Sequence, residues 1–234
     1  MHIHFLIHES FEAPGVYMEW AKESGYKVTQ TNLYNGQALP KAADADMLIV
    51  MGGPQGPYTT VEECPYFDAK AEIALMQDYI NEDKPVVGVC LGAQLLGEAY
   101  GATVERSPEK EIGNFPIFLT EAGKKNALMS GFKDGLVTGH WHGDMPGLPD
   151  SAVVLATSKG CPRQIIQFGE KQFGFQCHLE FSKELVAALI AEEDNLDGEA
   201  RQRQFVQVSS DILSYDYSEM NQTLKDFLTK LVRK

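Results

Sequence analysis

Apolar positions in the first half of the chain come in short unbroken runs, each followed by a stretch of helical spacing. Residues 2–8, His2-Ile3-His4-Phe5-Leu6-Ile7-His8, are mostly β-formers and predict a first strand. In residues 14–24 Val16, Tyr17, Trp20 and Ala21 recur at helical spacing, and Gly25 stands where a C-cap belongs. Residues 27–32 predict a second strand. Residues 47–51 predict a third, apolar throughout, as a strand buried on both faces should be. A helix over residues 65–81 offers Ala69, Ile73, Leu75, Met76 and Ile80 as its apolar face. Val86-Val87-Gly88-Val89 then reads as a buried strand, and residues 92–100 as a helix closed by Gly101. Alternating strands and helices of this kind predict an α/β fold with a mostly parallel central sheet flanked by helices.

Beyond Gly101 the rhythm changes. Residues 102–106, 112–120, 136–138, 152–156, 163–168 and 172–176 look like short strands, divided by turn signals at Gly113-Asn114, Gly123 and Gly169-Glu170. They predict an antiparallel extension of the sheet. From about residue 182 the chain turns helical, with Ser182 as an N-cap, a helix to about Glu192, and two more over residues 195–212 and 219–232. No Pro/Ser-rich linker marks a boundary, so residues 1–234 are expected to form one domain with a helical C-terminal extension.

Composition narrows the function classes. Formal charge is -13, from 33 acidic and 20 basic residues, and a field of that sign repels phosphate backbones and anionic membrane surfaces. No nucleic-acid or membrane partner is expected. The cysteines Cys64, Cys90, Cys161 and Cys177 have no paired short spacing, so they read as reduced thiols rather than zinc ligands or a disulfide framework. Without a basic leader or a long apolar run, a cytoplasmic address follows.

Three stretches carry candidate chemistry. In Gly88-Val89-Cys90-Leu91-Gly92 a cysteine lies at a strand-to-helix junction with a glycine two residues to either side. Small neighbours let the chain fold back and leave the sulfur proud, at a helix N-terminus that favours an anion. Alone, the pattern fits a reactive thiol and a buried core cysteine equally well. Gly52-Gly53-Pro54, after the third strand, is either a plain turn or a place where backbone N–H groups meet a ligand. In Cys177-His178-Leu179-Glu180 the histidine and glutamate are two apart, so extended backbone points them the same way, as a base and the carboxylate that orients it. His140-Trp141-His142-Gly143-Asp144 resembles a metal-ligand spacing, but no third ligand with support is evident and no metal is expected. Arg201 and Arg203 read as a solvated helix face.

Taken in order, Gly52-Gly53-Pro54, Gly88 to Gln94, His142-Gly143-Asp144 and Gly174 to Glu180 resemble the class I (triad) glutamine amidotransferase family, with Glu111-Ile112-Gly113 fitting the subgroup like the glutaminase domain of GMP synthase. The resemblance covers about residues 6–180 and implies a flavodoxin-like fold. It implies that Cys90 attacks the side-chain amide of glutamine to form a γ-glutamyl thioester, that His178 protonates the departing ammonia and then activates water, and that Glu180 orients His178. Gly53 and Leu91 then match the oxyanion hole. Gly52, Gln94 and the backbone around Trp141, His142 and Gly143 match the substrate-binding positions, and no cofactor is implied. Leu179 departs from the family's usual proline, which should leave the triad in place.

Only 54 residues follow Glu180, too few for an ATP-dependent synthase domain, and no Walker-type loop occurs. The expected partner is therefore glutamine or a γ-glutamyl small molecule, with a synthase on a separate chain as a second candidate. The alternative from another class is a non-enzymatic redox-sensing or partner-binding protein, for which an oriented base would have no use.

Overall fold

The computed structural model describes residues 1–233. Its strands are β1 (His2–Ile7), β2 (Lys27–Asn32), β3 (Met47–Val50), β4 (Val86–Val89), β5 (Glu105–Leu119), β6 (Leu136–Met145), β7 (Val153–Thr157), β8 (Ile165–Gln167) and β9 (Gln172–Phe175). The helices are α1 (Val16–Glu23), α2 (Ala69–Asn81), α3 (Leu91–Ala99), α4 (Glu121–Lys125), α5 (Lys183–Ala191), α6 (Leu196–Ala200), α7 (Ser209–Ser214) and α8 (Ser218–Leu231). The strands form a nine-stranded sheet in the order β2-β1-β3-β4-β9-β8-β7-β5-β6. From β2 to β9 the pairs are parallel, and from β9 through β8, β7 and β5 to β6 they are antiparallel. This is the α/β fold with an antiparallel extension that the hydrophobic rhythm predicts.

Alternation along the central strands divides the core in two. Phe5, Ile49, Val87, Val89, Phe173 and Phe175 point into one layer, and Leu6, Leu48, Val50 and Val86 into the other. Helices α2 and α3 cover the second layer through Leu75, Met76, Leu95 and Leu96. The first layer is closed by α1 together with α8, whose Phe227 sets its ring edge-on to Phe173 and Phe175 at 5.2 and 5.1 Å. Trp20 Nε1 donates to Thr229 Oγ1 at 3.0 Å, tying the first helix to the last.

Five expectations are corrected. The segments 102–106 and 112–120 are one strand, β5, because β6 pairs with it over most of its length, with a register shift between Arg106 and Glu111. Gly113 makes no turn. It pairs with His140 of β6 despite a φ of +126° that favours glycine, and a Cβ there would lie 2.5 Å from Gln207 Oε1, so the glycine opens a slot for that side chain. The strand expected at 136–138 runs on to Met145, which puts His140 and His142 inside it. The helix expected over 195–212 breaks into α6 and α7, since Ile112 bonds to Phe205 and Gln207 through its backbone and draws the intervening chain to the sheet. The helix expected from residue 65 starts at Ala69, where Asp68 caps it by accepting from the Ala71 amide.

Candidate active site

Parallel strands end on the same edge of a sheet, so the loops after β1, β3, β4 and β9 converge. Register brings Val50 beside Gly88 and Val89 beside Phe175, which sets the 52–53 loop, Cys90 and the His178 loop side by side. Cys90 has φ 52° and ψ -109°. Among the described residues only Asp83 and Cys90 combine a side chain with positive φ, and such strain is of order 1–3 kcal/mol. The flanking glycines explain how the elbow closes. A Cβ on Gly88 would lie 2.3 Å from Gly92 O, and one on Gly92 would lie 2.1 Å from Val50 O. Both obstacles are backbone and cannot swing aside. Gly92→Ala should therefore push α3 off β3, lowering unfolding stability by about 1–3 kcal/mol in denaturant titration.

His178 Nδ1 lies 2.6 Å from Glu180 Oε1, and both side chains are buried. Burial works against a charge on the imidazole, but Glu180 and the Cys90 thiol outweigh it and hold the His178 pKa well above its ordinary value. Nε2 makes no hydrogen bond to nitrogen or oxygen and is left for Cys90. Phe181 stacks on the imidazole at 4.3 Å and 14°, fixing the ring plane. Gly139 makes room for it, since a Cβ there would fall 2.3 Å from Phe181 Cδ2.

Although β6 is the last strand in the sheet order, Gly139 and His178 exchange backbone hydrogen bonds of 2.9 and 2.7 Å. The β5–β6 ribbon thus folds back over the strand ends, and the Trp141 carbonyl comes within 3.8 Å of Cys90 Sγ. A cavity of about 180 Å³ opens in front of Cys90. Gly53, Gln94, Trp141, His142 and Gly143 line it, as do Tyr58, Lys110, Asp144 and Glu193. Gly52 packs near Cys90 and Gly53 near Leu91, whereas Gly52, Leu91, His178 and Glu180 do not line the cavity. The Gln94 side chain is held by Gln176, to whose Oε1 it donates at 3.1 Å.

Several residues here were not foreseen from the sequence. His8, at the end of β1, bonds through Nδ1 to Gly52 O at 2.9 Å and through Nε2 to Glu72 Oε2 at 2.8 Å. It pins the glycine loop to α2. Burial opposes a charge on His8, but Glu72 and the Gly52 carbonyl raise its pKa. A glutamate on the apolar face of α2, in line with Ala69, Leu75 and Met76, was the available signal for such a buried pair.

The His142 side chain turns away from the cavity toward Glu111 on β5, 3.3 Å from its Oε2. Glu111, His140 and His142 place ligand-type atoms within 4.8 Å of one another, so the fold supplies the third ligand-type group that the sequence pattern lacked. Its carboxylate, however, already accepts from Ser158 Oγ at 2.7 and 2.9 Å, Gln164 Nε2 at 2.6 Å and the Gly160 amide at 3.3 Å. These donors occupy the lone pairs a metal would need, and the cluster stands as a hydrogen-bonded anchor for β6.

Burial works against the charge on Glu111, but His142, His140 and Ser158 hold its carboxyl below the usual range. A depressed folded-state pKa gives stability that is present above the unfolded value of about 4.5 and lost as pH falls through the folded one. Glu111→Gln should cost about 2–4 kcal/mol at neutral pH by denaturant titration, and its deficit should shrink below pH 4.5.

Against known proteins, the family model for class-I glutamine amidotransferase matches residues 18–193. The glutamine amidotransferase-like protein YfeJ of Salmonella typhimurium is 50% identical over 232 residues, covering 99% of this chain and 97% of that protein. The glutamine-hydrolysing GMP synthase of Bacillus cytotoxicus is 33% identical over 143 residues, 60% of this chain and 25% of its own length. The crystal structure of SMU.1228c superposes with a TM-score of 0.98 at 57% identity, covering 99% of this chain and all of the other.

Proposed function

Because the chain belongs to the class I glutamine amidotransferase family, we propose that it is a cysteine-dependent hydrolase that releases ammonia from glutamine, or an amine from a γ-glutamyl amide, through a thioester on Cys90. The observation that carries this is the strained elbow of Cys90 facing the free nitrogen of a histidine whose other nitrogen is bound to Glu180. A redox sensor has no use for an oriented base.

In the proposed reaction His178, whose raised pKa favours the imidazolium, already holds the Cys90 proton, and the sulfur attacks the γ-carbonyl carbon as thiolate. The oxyanion is met by the N–H groups of Gly53 and Leu91. Leu91 opens α3 and so has no acceptor for its N–H within the helix. Each such donor is worth roughly 10²–10³-fold in rate. The C–N bond breaks, His178 gives its proton to the departing nitrogen, and water then attacks the thioester with His178 as base. Glutamate leaves and the thiol is restored, so no cofactor enters the balance.

The amino-acid end fits the cavity in front of Cys90. Lys110 offers a cation for its carboxylate, Asp144 and Glu193 offer anions for its ammonium, and Gln94 with the backbone of 141–143 supplies neutral partners. Tyr58 donates to Asp144 Oδ2 at 2.9 Å and narrows the mouth. No helix among the described residues is long and apolar enough to cross a membrane. The test is incubation of purified protein with glutamine and a panel of γ-glutamyl amides. Glutamate and amine should appear in equal amounts, and failure on every member would overturn the reading.

A further inference from the structure

A second cavity, of about 280 Å³, adjoins the first and shares Gly53, Pro54, Trp141 and Glu193 with it. Phe11, Glu12, Leu189 and Glu192 complete its apolar and acidic walls, and no lysine or arginine lines it. Glu12 connects it to the reacting groups. Its Oε2 is 2.6 Å from where a Cβ of Gly52 would be, Cys90 Cβ is 3.3 Å from the same point, and His178 is the strongest opposite charge felt by Glu12. The cavity therefore lies near the imidazole that protonates the leaving nitrogen.

Glu12 is the unusual group. It is only 8% exposed, and its carboxylate has no hydrogen-bond donor among the described residues. The histidines that could balance it are committed elsewhere, His8 to Glu72 and His178 to Glu180. Burial pushes its pKa up to about 7, as expected of a carboxyl lacking a counter-ion. A buried acid at the wall of a cavity is stabilised by a cation that brings its own N–H donors. The volume also exceeds what ammonia needs, since a water-sized molecule occupies about 30 Å³.

Resting on the hydrolase reading above, we propose that this cavity holds the leaving amine and that the preferred substrates are γ-glutamyl conjugates of diamines, whose distal ammonium pairs with Glu12. Trp141 and Phe11 flank the methylene chain, and Glu192 stands at the rim. The chemistry is unchanged: the amide C–N bond breaks, the proton from His178 goes to the scissile nitrogen, and water supplies the oxygen of the new carboxylate. The distal ammonium keeps its proton throughout.

The test compares kcat/KM of the full chain for glutamine, γ-glutamyl-diaminobutane, its neutral isostere γ-glutamyl-pentylamine and the anionic γ-glutamyl-aminobutyrate. The diamine conjugate should exceed the neutral isostere by at least about tenfold, the size of a charge-assisted hydrogen bond, and the anionic one should be poorest. In Glu12→Gln the ratio of diamine to neutral conjugate should collapse to within about threefold of unity. Equal or better hydrolysis of the neutral or anionic conjugate by the unaltered protein overturns the proposal and leaves the hydrolase reading standing. A diamine preference that survives Glu12→Gln overturns the role of Glu12. Hydrolysis of none of the four overturns both readings together.

Discussion

Cys90→Ala is expected to abolish release of glutamate from every γ-glutamyl compound the protein accepts, lowering kcat by at least about 10⁴-fold. The size follows from what is lost. Without sulfur there is no thioester, and a single difficult displacement of an amine by water must replace two easier steps. Binding should survive, because the cavity walls at Gln94, Lys110, Asp144 and the 141–143 backbone are untouched. The folded state should also survive, since alanine keeps a Cβ at the elbow and removes one buried sulfur. Calorimetric titration with glutamate or a slow substrate analogue separates the two effects. Retained binding with lost turnover is the expected pair, and turnover within about tenfold of the unaltered protein would exclude Cys90 as the nucleophile.

His178→Ala should lower kcat by about 10³–10⁵-fold, and it divides the hydrolase from the redox sensor. A hydrolase needs His178 twice, to take the thiol proton and to protonate the amine. A sensor should go on oxidising Cys90 at a comparable rate without it. Loss of turnover measured with glutamine or a γ-glutamyl amide, together with loss of alkylation of Cys90 by a glutamine-analogue chloroketone, is the hydrolase signature. Unchanged peroxide oxidation with no turnover in either protein would favour the sensor. Glu180→Gln should fall between, because an imidazole without its anchor keeps some population of the useful orientation.

The parallel half of the fold was legible because its strands are largely apolar and its helices have regular stripes, so β1 to β4 and the helices α1, α2 and α3 were placed within a few residues. The antiparallel half was less so. Gly113 looked like a turn because a glycine followed by asparagine usually is one, and only the tertiary contact with Gln207 shows why a glycine sits in mid-strand. The break between α6 and α7 likewise depends on Ile112, far upstream on β5, which no local pattern reports.

For the candidate site, the residues at the ends of β3, β4 and β9 could be read locally, since glycine loops, an elbow and an i, i+2 pair have short sequence signatures. The roles of Glu12, His8, Glu72 and Glu111 could not. Each is one polar residue whose meaning comes from its surroundings on other strands and helices. His142 shows the difference most clearly: the resemblance assigned the backbone around it to the substrate, and what no local pattern reports is that its side chain serves Glu111.

In the proposed reaction Cys90 forms the covalent bond to the γ-glutamyl carbon. Protein treated with a chloroketone analogue of glutamine, digested and sequenced by mass spectrometry, tests it directly. One adduct per chain is expected, on the peptide carrying Cys90, with activity falling in step with labelling and with excess glutamine protecting. An adduct on Cys64, Cys161 or Cys177, or full activity in protein whose Cys90 is blocked, would contradict it.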